Sequence, residues 1–361
     1  MQTYYFMNPQ ESELHYPFAD TLPDTGTSMQ VAPGVRWLRM PLPFALNHIN
    51  LWLLEDQRLT ADGSTEKGWT IIDCGIATDV TRAAWEQIFT NELNGLPVFR
   101  VIVTHCHPDH VGLSAWLCER WQAPLMMTVG EYAFARMMSA GLPGADGPAM
   151  VPHFKQHGLT DKDMLAQLEG RTNYYPSLVP DVPHEFLRLE ENHPVTIAGH
   201  EWRIIIGTGH SPEHAALYCK SLNVLISGDM VLPRISTNTS VFAIEPESDA
   251  VGNFLESLEK FVSLPSDTLV LPSHGKPFTG LHKRIRQLNN HHAERLEEVR
   301  QACVRPQSAA DIVPIMFTRT LDAHQLSFAM GEALAHLHRL WYAGELQRTT
   351  GTDNVLRFVK K

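Results

Sequence analysis

No apolar run in the 361-residue chain reaches the length needed to cross a bilayer, so a membrane-spanning protein is not expected. Met1 to Asp20 mixes Gln, Glu, His and Asp and lacks the basic stretch followed by an apolar one that marks a secretory leader. A soluble, cytoplasmic protein is therefore expected. Cysteines are few and scattered: Cys74, Cys106, Cys118, Cys219 and Cys303 form no CxxC pair, which argues against both a disulfide framework and a thiolate zinc site. Positive charge is also short, with 29 Lys plus Arg against 40 Asp plus Glu and a net charge of −11, a balance that repels phosphate backbones. Internal repeats and low-complexity tracts are missing. With 43% hydrophobic and 19% charged residues, the chain carries enough apolar side chains for a packed core. Its length predicts two domains, or one large domain with an appendage.

What the chain has in excess is histidine, nineteen residues whose placement matters more than their number. Short apolar runs at Val35–Met40, Ile49–Leu54, Trp69–Asp73, Val98–Val103 and Pro124–Thr128 read as strands. Helical spacing predicts helices over Thr78–Leu93 and Val111–Trp121 between them. This alternation indicates layered α/β architecture. From about 130 to 190 the pattern changes to short helices (Glu131–Ala140, Met150–Gly158, Thr160–Leu168) joined by Gly/Pro-rich turns, read either as a cap over a site or as a surface insertion. Strand signals return at Val195–Ile197, Trp202–Ile206, Ala215–Cys219, Val224–Ser227 and Thr268–Leu271. Beyond Gly275 come three helices, Leu281–Cys303, Ser308–Phe317 (with Ser308 as N-cap) and Asp322–Leu340, then a β-like end at Asn354–Val359. The expected domains are 1–280 and 281–361.

The chemistry concentrates in His105-x-His107-x-Asp109-His110, directly after the buried strand Val98–Val103. Two imidazoles two residues apart can bind one cation, and the following Asp and His can turn toward a second. Any one such histidine is more often a core or surface residue, but four ligand types in six residues reverse those odds. His210 follows the strand Trp202–Ile206, Asp229 follows Val224–Ser227, and His274 follows Thr268–Leu271. Loops at strand ends converge at one edge of an α/β sheet. Seven ligands suffice for two metals: His105, His107 and His210 on one, Asp109, His110 and His274 on the other, Asp229 between them. Two divalent ions, zinc first with iron or manganese as alternatives, suit this donor set.

HxHxDH, GTGHS, SGD and PSHG, in that order and preceded by Ile71-Ile72-Asp73-Cys74-Gly75, resemble the metallo-β-lactamase superfamily over Val35 to about Gly275. The resemblance implies an αββα sandwich and makes Asp73 the partner that orients a ligand histidine; a turn or N-cap role is the plain alternative. Asp229, where lactamases that destroy antibiotics carry Cys, is similar to the glyoxalase II-like and nuclease-like branches. The helices after His274 resemble the C-terminal winged-helix-like domain of some members, one of them an endoribonuclease.

These features predict a hydrolase in which a hydroxide bridging two metals attacks the substrate, with Asp109 and Asp229 as the catalytic carboxylates. A small-molecule thioester or other carboxylic ester is the first expectation, because the cap is rich in Met, Phe and Tyr. Phosphodiester cleavage of RNA is second, with Arg284, Arg286, Arg295 and Arg300 as candidate contacts diluted by Glu294, Glu297 and Glu298. A metal-binding interaction or DNA-binding protein using the tail is third, disfavoured because Asp322–Leu340 carries Arg339 alone among Lys and Arg. The tail is expected to pack on the core or to mediate a homodimer. His214, Tyr174 and Tyr175 are the candidate substrate-binding residues, His214 either lining the site or hydrogen-bonding near it, the tyrosines as donors to an oxyanion or as packing. Cys106 reads as a packed thiol, His291 and His292 as solvated or capping residues with reach into the pocket as the alternative, and His336 and His338 as structural residues.

Overall fold

The computed structural model describes residues 11–144 and 146–361. The first ten residues of the stretch judged against a secretory leader lie outside them. Among the described residues no helix is long and apolar enough to cross a membrane.

Two sheets stack face to face. The first takes seven strands in sequence order: β1 (Ser28–Ala32), β2 (Val35–Pro41), β3 (His48–Leu59), β4 (Thr65–Ile72), β5 (Val98–Ile102), β6 (Leu125–Met127) and β7 (Leu187–Arg188). β1 to β4 pair antiparallel, and β4 to β7 pair parallel. The parallel pairs require crossovers. α1 (Asp79–Asn91) supplies the first, α2 (Pro108–Val111) with α3 (Ser114–Trp121) the second, and the whole insertion the third. The second sheet holds β8 (Val195–Ile197), β9 (His200–Gly207), β10 (His214–Cys219), β11 (Val224–Gly228) and β12 (Leu269–Pro272), antiparallel except for the parallel β11–β12 pair. That pair is joined through α8 (Ala250–Val262).

Alternation along the strands divides the core into layers. Trp37, Trp52, Leu54, Ile72 and Ile102 face Trp202, Ile204, Leu217, Ile226 and Leu271 between the sheets. Leu51, Ile71 and Val101 point outward beneath Trp85 and Ile88 of α1 and Leu117 of α3. On the opposite side, Phe254, Leu258 and Phe261 of α8, with Ile285 and Leu288 of α9 (Leu281–Ala302), cover Ile205, Ala216, Leu225 and Val270. The result is the expected α/β/β/α sandwich. β10 and β11 are buried at every residue because both of their faces are covered.

The insertion comprises α4 (Val129–Ser139), α5 (Gly147–Gln156), α6 (Lys162–Glu169) and α7 (Tyr174–Leu178). The tail adds α10 (Ala309–Met316), α11 (Ala323–Tyr342) and the hairpin β13 (Leu346–Thr350)–β14 (Leu356–Lys360) to α9. Ser308 caps α10 in a capping box with Asp311. Insertion and tail share one core: Phe154, Leu165 and Leu168 pack with Val299, Ile312, Leu334, Leu337 and Phe358. Each fully buried Leu or Phe there contributes about 1.5–3 kcal/mol. The insertion is thereby clasped to the tail.

Several expectations change. The helix expected over Val111–Trp121 is two pieces, because the α2 turn packs against the preceding loop. A Cβ at Gly112 would lie 2.5 Å from Pro108 O and 2.6 Å from Gly75 O, so glycine is required there. α7 and α8 were not anticipated. α11 is buried at His336, Leu337, His338 and eight further positions, so it presents no free recognition face. Of the basic residues considered for gripping RNA, Arg284 is buried and donates to Leu232 O and Ile235 O. Arg295 pairs with Glu298, Arg300 with Glu297 and Glu345, and Arg286 faces solvent.

Candidate metal centre

The site is built from chain reversals at strand ends. β4 runs into Asp73, which sits at φ +62°, an uncommon conformation for a residue with a side chain. The turn points its carboxylate along β5. Oδ1 accepts from Thr104 N at 2.8 Å, and Oδ2 accepts from Thr104 Oγ1 at 2.9 Å and from His110 Nδ1 at 2.8 Å. β5 ends just before Thr104, His105 and His107 follow, and Pro108 starts α2, whose first turn carries Asp109 and His110. His210 follows β9, Asp229 follows β11 and His274 follows β12.

Seven side chains converge as two adjoining groups. In the first, His105 Nε2 lies 2.8 Å from His107 Nδ1 and 3.3 Å from His210 Nε2. Asp229 Oδ2 stands 3.4 Å from His210 Nε2 and 4.0 Å from His105 Nε2. In the second, Asp109 Oδ2 is 3.8 Å from His110 Nε2 and 3.4 Å from His274 Nε2. Asp229 Oδ1 is 3.6 Å from both of those imidazoles. Asp229 therefore turns one oxygen to each group.

Outer contacts set which nitrogen faces inward. His210 Nδ1 donates to Asn238 O at 2.8 Å, His274 Nδ1 to His48 O at 2.9 Å and His110 Nδ1 to Asp73 Oδ2 at 2.8 Å. With Nδ1 engaged as donor, Nε2 is the nitrogen each ring turns toward a cation. His110 Nε2 and Asp229 Oδ1 are buried without a hydrogen-bond partner, too far apart to bond each other but spaced to share a cation. Burial, together with the neighbouring imidazoles, holds His105 well below the usual histidine range, and it holds His107 at about 3. Burial works the same way on His110, but Asp73, Asp109 and Asp229 overcome it and raise that group to about 9. One group is thus a set of opposed lone pairs and the other attracts positive charge. Each group could hold a cation, and the donor set of imidazoles and carboxylates fits divalent metals.

Among the other candidates, His214 hydrogen-bonds beside the metal groups. It is wholly buried, and its Nε2 accepts from Asp229 N at 3.0 Å, so it positions the aspartate loop. Tyr175 is largely buried at the cavity lining, and its hydroxyl donates to Cys106 O, the packing alternative. Tyr174 also lines the cavity beside the metal groups. Cys106 is a buried neutral thiol, its pKa raised by burial and by Glu131. His292 stacks on His336 inside the tail.

Sequence reasoning missed Glu131, fully buried in the first turn of α4. Its Oε2 accepts from Cys106 N at 2.8 Å, and Oε1 accepts from Ser211 Oγ at 2.6 Å and Glu213 N at 2.7 Å. One carboxylate thus ties the His105–His107 loop to the His210 loop. Glu213 answers with Oε2 on Gly130 N at 2.8 Å. A Glu in a first helical turn is ordinary, so no local signal marks it.

A cavity of about 600 Å³ opens on the His107 and His210 side of the cluster. Phe134, Met138, Leu142, Met150, Phe242 and Phe328 give it apolar walls, drawn from the insertion, the segment before α8 and the tail.

A family model described as "Metallo-beta-lactamase superfamily" matches residues 49–274, and one described as "Metallo-beta-lactamase-like, C-terminal domain" matches residues 296–361. The chain is similar to the crystal structure of a beta-lactamase domain protein from Burkholderia ambifaria, at 56% identity and TM-score 0.91, covering 98% of this chain and 100% of that one. A metallo-beta-lactamase family protein from Thermus thermophilus is 27% identical with TM-score 0.73, covering 92% of this chain and 100% of that one. A protein named "Probable metallo-hydrolase" from Bacillus subtilis (strain 168) is 22% identical over 326 residues, 83% of this chain and 90% of that protein.

Proposed function

The chain belongs to the metallo-beta-lactamase superfamily, and from that premise we propose that it is a metal-dependent hydrolase acting on a thioester or other carboxylic ester. The observation that carries the substrate class is the cavity of about 600 Å³, whose apolar walls suit an acyl chain and whose inner end is lined by His107 and His210.

His105, His107 and His210 would hold one cation, Asp109, His110 and His274 the other, with an oxygen of Asp229 on each. When bound, such a pair supplies hydroxide at neutral pH and polarises the substrate carbonyl. The chain's own part is positional. Asp229 sets the separation of the two groups, and His214 holds the Asp229 backbone in place. Asp73 fixes the His110 tautomer. Asp109, partly open to the site, would orient the attacking oxygen. Burial raises the pKa of the Tyr174 hydroxyl, which keeps it protonated at neutral pH, and the side chain lines the cavity. All five cysteines are free and buried, which fits a cytoplasmic setting.

The test is turnover by the zinc-, iron- or manganese-loaded protein on acyl thioesters of graded length, beside phosphodiester, lactone and β-lactam compounds. Specificity (kcat/KM) is expected to rise with acyl length until the cavity is full. Faster cleavage of RNA or a simple phosphodiester than of every ester would overturn the reading.

A further inference from the structure

Among the described residues, Arg171 is the one Lys or Arg side chain that lines the cavity. It lies between α6 and α7, and Nη2 donates to His324 Nδ1 at 2.9 Å while the guanidinium stands 4.2 Å over the Tyr174 ring. His324 comes from the first turn of α11 in the tail, where its ring packs against Phe44 at 6.2 Å, Tyr174 at 5.6 Å and Phe328 at 5.0 Å. Burial and the Arg171 charge hold this imidazole below its ordinary pKa, so it is neutral and accepts the bond. Among the described residues no carboxylate is a partner of Arg171. Asp146 and Glu245 also reach the lining, but the Asp146 carboxylate is occupied as the N-cap of α5.

A guanidinium carries five N–H donors in a planar fork, and His324 takes one. The Tyr174 hydroxyl is a second partner, and the partly buried fork keeps further donors at a largely apolar wall of the cavity, where a carboxylate would find a charge partner. Tyr174 links this group to the metal groups, since its ring carries Arg171 while the Asp109 charge acts on its hydroxyl. We propose that Arg171, held by His324, binds a carboxylate on the acyl part of the substrate, so that the preferred substrate is an ester or thioester of a dicarboxylic acid. One positive charge matches a carboxylate better than a phosphate monoester, which brings close to two negative charges. The tail then has a part in specificity, because His324 holds the arginine in place. The reactive end of this substrate rests on the hydrolase reading; the anion site can be measured without it.

The experiment has two arms. In the first, the loaded wild type, Arg171→Gln and Arg171→Lys are assayed on two thioesters of equal length, one ending in a free carboxylate and the other in its methyl ester. The wild type is expected to favour the acid in kcat/KM, through KM. Arg171→Gln should reduce that preference by about 10- to 100-fold and Arg171→Lys should restore part of it. In the second arm, calorimetry compares adipate with hexanoate, and inorganic phosphate with adipate, on the same three proteins without turnover. A preference for adipate that is lost in Arg171→Gln supports the site, even if neither thioester is cleaved, in which case the hydrolase reading alone fails. No preference for the acid or for adipate in the wild type, or an Arg171-dependent preference for phosphate, overturns the proposal.

Discussion

Glu131→Gln isolates what one buried carboxylate does for a centre it does not touch. The substitution keeps the volume and replaces one oxygen by NH2. Oε1 serves two donors and Oε2 one, so the amide oxygen takes the Ser211–Glu213 side and the new NH2 meets Cys106 N–H, donor against donor. One charge-assisted bond is lost, about 1.5–3 kcal/mol, and a buried N–H is left unpaired, about 1–3 kcal/mol. Part returns, because burial penalises the native carboxylate and raises its pKa. The net expectation is a loss of about 2–3 kcal/mol in the metal-free protein. Cys106 lies between two ligand histidines and Ser211 directly follows a third, so the loops carrying them loosen together. Affinity for the first metal should fall about 10- to 100-fold, the range for residues that orient ligands. Urea unfolding of the metal-free protein and competition against a chromophoric chelator measure the two effects. Stability within about 0.5 kcal/mol of wild type together with unchanged metal affinity would refute the reasoning.

Metal stoichiometry separates the roles of the ligands. By elemental analysis, His107→Ala and Asp109→Ala should each retain about one metal per chain and Asp229→Ala fewer, because only Asp229 offers an oxygen to both groups; all three should lose turnover, and full loading of Asp229→Ala would contradict the bridging arrangement. Glu332 on α11 gives a pH test well away from the metals. Burial raises its pKa from 4.5 to about 7, against the opposing charge of Arg295. Between those values the folded chain binds more protons than the unfolded one, so stability falls as pH rises through the window. Glu332→Gln should therefore be more stable than wild type at pH 8 by about 1–3 kcal/mol, with the advantage shrinking toward pH 4.5. Urea midpoints at both ends of the range check this, and an equal difference at the two pH values would sink it.

The histidine–aspartate run after β5 is legible because its ligands are covalent neighbours, and strand-end placement adds His210, Asp229 and His274 without any coordinates. The layered order of strands and helices is legible from periodicity. α8 was within reach too, since Phe254, Leu258 and Phe261 fall at helical spacing. Other features had no local signal. Glu131 looks like any acid in a first helical turn until the fold lays the Ser211–Glu213 segment over it. His214 and Tyr175 carry chemistry-bearing side chains, yet one is occupied by an Asp229 amide and the other by the Cys106 carbonyl. α11 has the length and position of a recognition helix, and packing against the insertion buries it.

The chain alone thus determined the candidate ligand set, the order of the layers and the hydrolytic chemistry they imply, since these follow from side-chain type, short spacing and hydrophobic period. Tertiary structure decided which nitrogen of each histidine faces inward, how insertion and tail together wall one cavity, and that Arg171 meets His324 across 153 positions of sequence. Those outcomes depend on contacts between segments remote along the chain, whose partners are chosen by packing and by the pairing of buried polar groups, and neither is written in any local pattern.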